Sequence, residues 1–259
     1  MFSRLSWICL FDGLLRVFTV FGFCPIKIDR KPKKTVNSFK VTNNILLIMS
    51  LLHIVVVIIP VYFACKMFLS TDSDVGSFNN VLKFGVMALT HFTAVVESMI
   101  VRKNFFEIWI RMNQIDDLLD AMLPNYGTVL KSFYEKTSKK IFSVLLMTIV
   151  IEIYIIANIL PIDSWTFIWS VSIISLMMSR LRHLQHTLYI DLLTCRFRVI
   201  KKELKAIVKI TKMENNVLVV KNLNFYNSLF QKLSTIKNVY NTLWETSLYL
   251  NRSFGVSQL

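Results

Sequence analysis

The stretch ILLIMSLLHIVVVIIPVYFAC, Ile45–Cys65, runs for 21 residues without one charge. A helix needs about 20 mostly apolar residues to cross a hydrocarbon core of roughly 30 Å, so this segment reads as a membrane span. Pro60 does not argue against it, because neighbouring helices can satisfy the carbonyl that proline frees. Three more segments follow the same rule. Val81–Val101 carries Lys83 near one end and Glu97 near the other, both placed to reach headgroups by snorkelling. Ile141–Ile162 has Glu152 as its single charge. Ser164–Ser179 has 16 uncharged residues before Arg180, and Leu181, Leu184 and Leu188 prolong it to residue 188. Pro161-Ile162-Asp163-Ser164 makes a tight hairpin between the last two.

Composition agrees. Of 259 residues 54% are hydrophobic, mean hydropathy is +0.52, and 18% are charged, against about 25% in a soluble domain. The 30 Lys and Arg outnumber 16 Asp and Glu, for a net charge of +14. Basicity on that scale raises nucleic acid as a partner. Here, however, the charge sits between aliphatic and aromatic runs rather than over a wettable fold, which excludes that class. Cys9, Cys24, Cys65 and Cys195 form no CxxC, so neither a disulfide scaffold nor a zinc module is expected. Arg4, Asp12 and Arg16 interrupt the first apolar stretch, which therefore does not read as a cleaved signal peptide.

Basic residues set the orientation. Residues 1–44 hold eight, 102–140 hold seven and 180–259 hold thirteen, whereas loop 66–80 holds only Lys66 and the hairpin at 163–164 none. The expected protein is an all-α integral membrane protein with four transmembrane helices (45–65, 81–101, 141–162 and 164–188, the last with a cytoplasmic extension) and both termini cytoplasmic. Arg16–Pro25 (RVFTVFGFCP) reads as a short interfacial helix ending at Gly22. Two long cytoplasmic helices fill 189–259. Leu181, Leu184, Leu188, Leu192, Cys195 and Val199 form one apolar stripe. Leu229, Leu233, Ile236, Tyr240, Leu243, Leu250 and Phe254 form another on a near-heptad, with Ser247 at the skipped position and a break at Asn215-Asn216. Each stripe needs a cover, either the other helix or another subunit.

No GxSxG, HExxH, Walker or GxGxxG motif occurs, so no enzymatic activity and no cofactor are expected. His183 and His186 share a helix face, but Arg180 and Arg182 beside them repel a cation, and no metal site is assigned. Asp116, Asp117 and Asp120 lack EF-hand spacing and are expected to balance Arg111 and Lys131. Asn251-Arg252-Ser253 matches a glycosylation triplet but falls on the cytoplasmic side. Polar residues inside the spans say more. At about 1.5 Å per residue, His91 lies about 14 Å deep, and Glu152 and Ser172 roughly 12 Å. Thr90, Tyr154 and Trp169 (with Trp165) are near that layer or above it, and His53 is deeper. Intramembrane ionisable groups face a cavity or a partner. The layer is thus either a ligand pocket lined by Thr90, His91, Glu152, Tyr154, Trp169 and Ser172, or a His–Glu hydrogen bond that glues two spans.

Arg182, Gln185, Tyr189, Leu192, Leu193 and Arg196 resemble the pattern after the fourth span of insect gustatory receptors. Lys232–Leu259 is similar to the approach to their fifth span, where Leu-Asn and then Phe-Gly recur, here Leu250-Asn251 and Phe254-Gly255. Gly22–Pro25 resembles the Gly-x-x-Pro before their first span. The resemblance implies a seven-helix fold with the N-terminus inside, in a plasma-membrane taste receptor that detects small-molecule tastants and mediates acceptance or avoidance. It also implies homo- or hetero-oligomers, tetramers around a cation pore lined by the last span, with lipid as a further partner. The family's Thr-Tyr-x-x-x-Gln-Phe signature does not occur before Leu259, so the chain is expected to be a fragment without the pore-lining span. The alternative is a non-channel four-span adaptor. Tetraspanin and gap-junction types are disfavoured, because residues 66–80 and 161–164 hold no cysteine.

Overall fold

Among the described residues, helix follows helix. The structure is a computed structural model that describes residues 17–18, 21–23, 47–59, 61–63, 65–66, 75–159, 164–214 and 223–254. Helix α1 covers residues 47–59 and continues over 61–63. Then come α2 (Val75–Ile100), α3 (Arg102–Met122), α4 (Tyr126–Ile159), α5 (Ser164–Glu214) and α6 (Leu223–Phe254). The breaks have local causes. Val101 leaves helical geometry (φ −88°, ψ 4°) and bends α2 into α3. Leu123 is extended (φ −127°, ψ 106°), as the residue before a proline must be, and Pro124 follows. Helix α5 ends directly before Asn215-Asn216. Its 51 residues make a rod about 76 Å long, which carries one set of side chains from the fourth apolar segment deep into the basic part of the chain.

Among the described residues, Val81–Ile100 is the one helical stretch both long and apolar enough to cross a membrane by itself. The third and fourth apolar segments are continuous helix as far as residue 159 and from residue 164, while most of the hairpin between them lies outside the described residues. Surface chemistry divides the molecule in two. Leu51, Leu52, Leu82, Leu89, Met147 and Ile153 are all more than half exposed. Apolar surface spread over α1, α2 and α4 in this way requires cover, and lipid tails would supply it. The packed core belongs to the basic half instead. There Phe105, Ile108, Met112, Ile115 and Leu119 of α3 are buried with Leu188, Leu192, Leu243 and Leu250.

Helix α3 was not foreseen. Residues 102–140 read as a loop in sequence, yet α3 and the first turns of α4 fill them. Helix α3 is the main partner of α6, which also lies along α5. The apolar stripes of α5 and α6 are therefore covered within the chain. The α6 stripe is also turned from the expected phase. Ile236, Val239, Leu243, Thr246 and Leu250 are buried, whereas Tyr240 and Leu233 are half-exposed. Ile236, Leu243 and Leu250 belong to both phases, and Val239 and Thr246 replace Tyr240 and Ser247 between them. The Tyr240 ring instead meets Phe197 edge-on, with centroids 5.9 Å apart.

Near the N-terminus, Gly22 has φ +78°, a conformation open to glycine at little cost. The Phe23 N–H donates to the Phe18 carbonyl at 2.8 Å, the six-to-one closure that ends a helix with a left-handed glycine. The expected helix end at Gly22 is where the turn occurs.

Candidate functional site

Four residues of one α5 face, Arg182, Gln185, Tyr189 and Arg196, are each at most 3% exposed. Their spacing of three, four and seven residues keeps them on one stripe of the helix. Between them they reach the N-terminal turn, α2, α3 and α6. Arg182 pairs with Glu97 of α2 at 3.1 Å and donates to Gln185 Oε1 at 2.9 Å and to the Ser253 carbonyl at 3.3 Å. Its guanidinium lies 4.4 Å from the Phe254 ring centroid and 5.2 Å from that of Phe105. Delocalised and weakly hydrated, guanidinium suits such a stacked, buried position. Glu97 thus turns inward rather than snorkelling as expected, because a buried arginine is there to receive it.

Gln185 donates to the Phe23 carbonyl at 2.5 Å, and Ser98 Oγ donates to the neighbouring Gly22 carbonyl at 2.6 Å. The N-terminal turn is thereby fastened to α2 and α5. Trp109 of α3 donates to the Tyr189 hydroxyl at 2.8 Å, and the Tyr189 ring stacks on Phe105. Arg196 grips Asp116 of α3 with two nitrogens, at 2.9 and 2.6 Å, and Tyr126 donates to the same carboxylate. Burial opposes the Arg196 charge, but Asp116 and the nearby tyrosines outweigh it and hold its pKa above the ordinary arginine value. Burial likewise pushes the Cys195 thiol up, so it is a poor thiolate source. The expected pairing of Asp116 with Arg111 does not form. Arg111 bonds Glu107 at 3.0 Å and Glu245 of α6 at 2.5 Å.

Leu250 and Phe254 sit in the same core, Asn251 is exposed, and Gly255 is outside the described residues. The Ser253 hydroxyl of the triplet is buried and donates to the Tyr249 carbonyl at 2.8 Å. The His186 ring packs on Phe254, centroids 4.5 Å apart. Among the described residues, no group of three metal-ligating side chains comes together.

Inside the apolar segments the polar residues separate into two levels. His91 is fully buried, its Nδ1 is 2.9 Å from Ser175 Oγ, and its ring lies 5.6 Å from that of His53. The other nitrogen, Nε2, has no hydrogen-bond partner among the described residues. Glu152 is paired with Arg180 at 2.7 Å. Arg180 lies five residues beyond Ser175 on α5, about 7.5 Å further along the helix. His91 and Glu152 therefore have separate partners and do not bond each other. Thr90 is exposed and donates back to the Val86 carbonyl. Tyr154 is 62% exposed on the outer surface. Trp169 and Ser172 belong to α5, but their side chains are outside what is described. Sequence reasoning missed Ser175 and Arg180 as partners, although Arg180 stood out as the first charge after a 16-residue apolar run.

The family model described as 7tm Chemosensory receptor matches residues 11–259, nearly the whole chain and all the contacts above. Neither a curated protein nor a solved structure matches.

Proposed function

Because the chain belongs to the 7tm chemosensory receptor family, we propose that it is a taste receptor of the plasma membrane, a subunit of a ligand-gated cation channel responding to small-molecule tastants. Membrane placement and a chemoreceptor role come with the family. The buried stripe of Arg182, Gln185, Tyr189 and Arg196 carries the rest of the reading. Its side chains tie the N-terminal turn, α2, α3 and α6 to a single rod. Displacement of α5 at its outer end would then be felt by every cytoplasmic element at once. On this reading the spans are four, with both ends of the chain in the cytoplasm, and subunits assemble through the cytoplasmic helices.

The tastant would bind between α1, α2 and the outer part of α5, where His91 brings a buried polar nitrogen into apolar surroundings. A few polar groups in an apolar setting are what small-ligand sites generally provide. The second level, Glu152 with Arg180, would sense the resulting shift of α4 against α5. The test is expression at the surface of cells together with other receptors of the family, which supply the pore-lining span, under a panel of sugars and bitter compounds. A ligand-evoked cation current or calcium rise that untransfected cells lack supports the reading. Silence in every combination, with surface expression verified, contradicts it.

A further inference from the structure

Below the third apolar segment, the α3–α4 turn and the first turns of α4 face α5 across a cleft of about 480 Å³. Its floor includes Leu123, Phe133 and Val199, and its rim is basic, with Lys136 from α4 and Arg198 and Lys202 from α5. Glu203 is the one acidic residue among those lining it. All three cations are exposed, and none forms an ion pair with a described residue. Their neighbours differ sharply. Lys139 is matched by Glu135, Lys140 by Asp191 and Arg196 by Asp116. Arg198 and Lys202 are one helical turn apart, a spacing at which like charges repel. Helix α4 begins at the cleft with no acidic residue in its first turn, so its positive end adds to the field. Among the residues lining the cleft, one carboxylate stands against three cations.

Position narrows the class of anion. Lys136 precedes Ile141, where the third apolar segment begins, by five residues, about 7.5 Å of helix. That is within roughly one Debye length at physiological salt. Cations from two helices, with Ser132 and Asn125 also lining the cleft, suit several phosphates on a hydroxylated ring better than one phosphate alone. We propose that this cleft binds a phosphorylated inositol headgroup, presented either by a phosphoinositide of the inner leaflet or as a soluble inositol phosphate. Basic pockets beside transmembrane helices on the cytoplasmic side are a known setting for such headgroups. A bound headgroup would clamp the base of α4 to α5, the two helices joined further out by Glu152 and Arg180.

The test is binding of the full chain, reconstituted in phosphatidylcholine vesicles, to phosphatidylinositol bisphosphate, with phosphatidylserine at matched charge and soluble inositol trisphosphate as comparison arms. At about 1 kcal/mol per basic residue near an anionic surface, Arg198→Ala with Lys202→Ala should weaken bisphosphate binding roughly thirtyfold. Lys139→Ala with Lys140→Ala removes the same formal charge closer to the membrane and should leave binding within about twofold, because each lysine is already matched by a carboxylate and neither lines the cleft. Should the double variant fail to fold, Ser132→Glu, which puts an anion in the cleft, gives the same readout. Competition by the soluble trisphosphate assigns a free headgroup as sufficient, and bilayer-only binding assigns the lipid; either supports the site. Equal losses in the two lysine and arginine pairs, or phosphatidylserine binding as tightly as the bisphosphate, would overturn it.

Discussion

Arg196 of α5 and Asp116 of α3, 80 residues apart in sequence, form a two-pronged ion pair whose guanidinium side is 1% exposed and whose carboxylate side is 20% exposed. Two charges leave water together here, and the geometry compensates through parallel hydrogen bonds, with the Tyr126 hydroxyl and the Leu192 carbonyl taking up remaining capacity. The attraction in such a pair is largely offset by the cost of taking both charges out of water, whereas breaking it leaves one buried charge uncompensated.

Removing one member should therefore be far worse than removing both. Asp116→Ala leaves a buried, unmatched guanidinium and should cost about 3 kcal/mol, the lower end of the range for broken buried pairs, since the carboxylate is partly wet. Arg196→Lys keeps the charge but loses the fork and should fall between. Asp116→Leu combined with Arg196→Met should recover much of the loss. Thermal unfolding in detergent measures all three. An Asp116→Ala protein as stable as the parent would show that the pair is not formed.

Tyr126 sets an alkaline limit. Burial, with Asp116 adding to it, raises this phenol above its ordinary value. The folded chain then favours the protonated ring, so the contribution is fully present below about pH 10, the unfolded value, and declines as pH rises beyond it. Tyr126→Phe should flatten the fall in stability above that pH while costing about 1 kcal/mol at neutral pH for the lost hydrogen bond. Melting curves across the alkaline range decide it, and an unchanged pH profile in Tyr126→Phe would contradict the assignment.

How far sequence could lead is clearest at α5 and α3. On α5 the stripe from Leu181 to Leu192 and the residues Arg182, Gln185, Tyr189 and Arg196 were visible beforehand, because helical periodicity and resemblance both act along one element. Helix α3 carried its own signal, Phe105, Ile108, Met112, Ile115 and Leu119 at steps of three and four, but among so many apolar residues it read as part of a loop. Partner choice was not legible. His91 meets Ser175 and Glu152 meets Arg180 because the register between helices, which no single segment encodes, aligns them. The one-residue turn of α6 had the same origin. Both phases satisfy a heptad, and only the surface offered by α3 selects Val239 over Tyr240.

Orientation can be checked without ligand. A glycosylation acceptor inserted near Ser73 should be modified in microsomal translation, while acceptors at residues 35 and 125 and the native Asn251 should remain bare. Modification at residue 125 would place α3 and the Asp116–Arg196 pair outside and invert the arrangement.

The most direct measurement of the central claim pairs dose–response curves with surface expression for His91→Ala and Glu152→Gln in a responding receptor. If the layer around His91 takes the tastant, His91→Ala should reach the surface at near-normal levels and change which tastants act, or shift their potency by about tenfold, the value of one net hydrogen bond of 1.4 kcal/mol. Glu152→Gln, which weakens the link to Arg180, should lower the maximal response across all ligands alike. Unchanged ligand preference and potency in His91→Ala, with any loss confined to surface expression, would contradict the account and leave His91 as structural glue between α2 and α5.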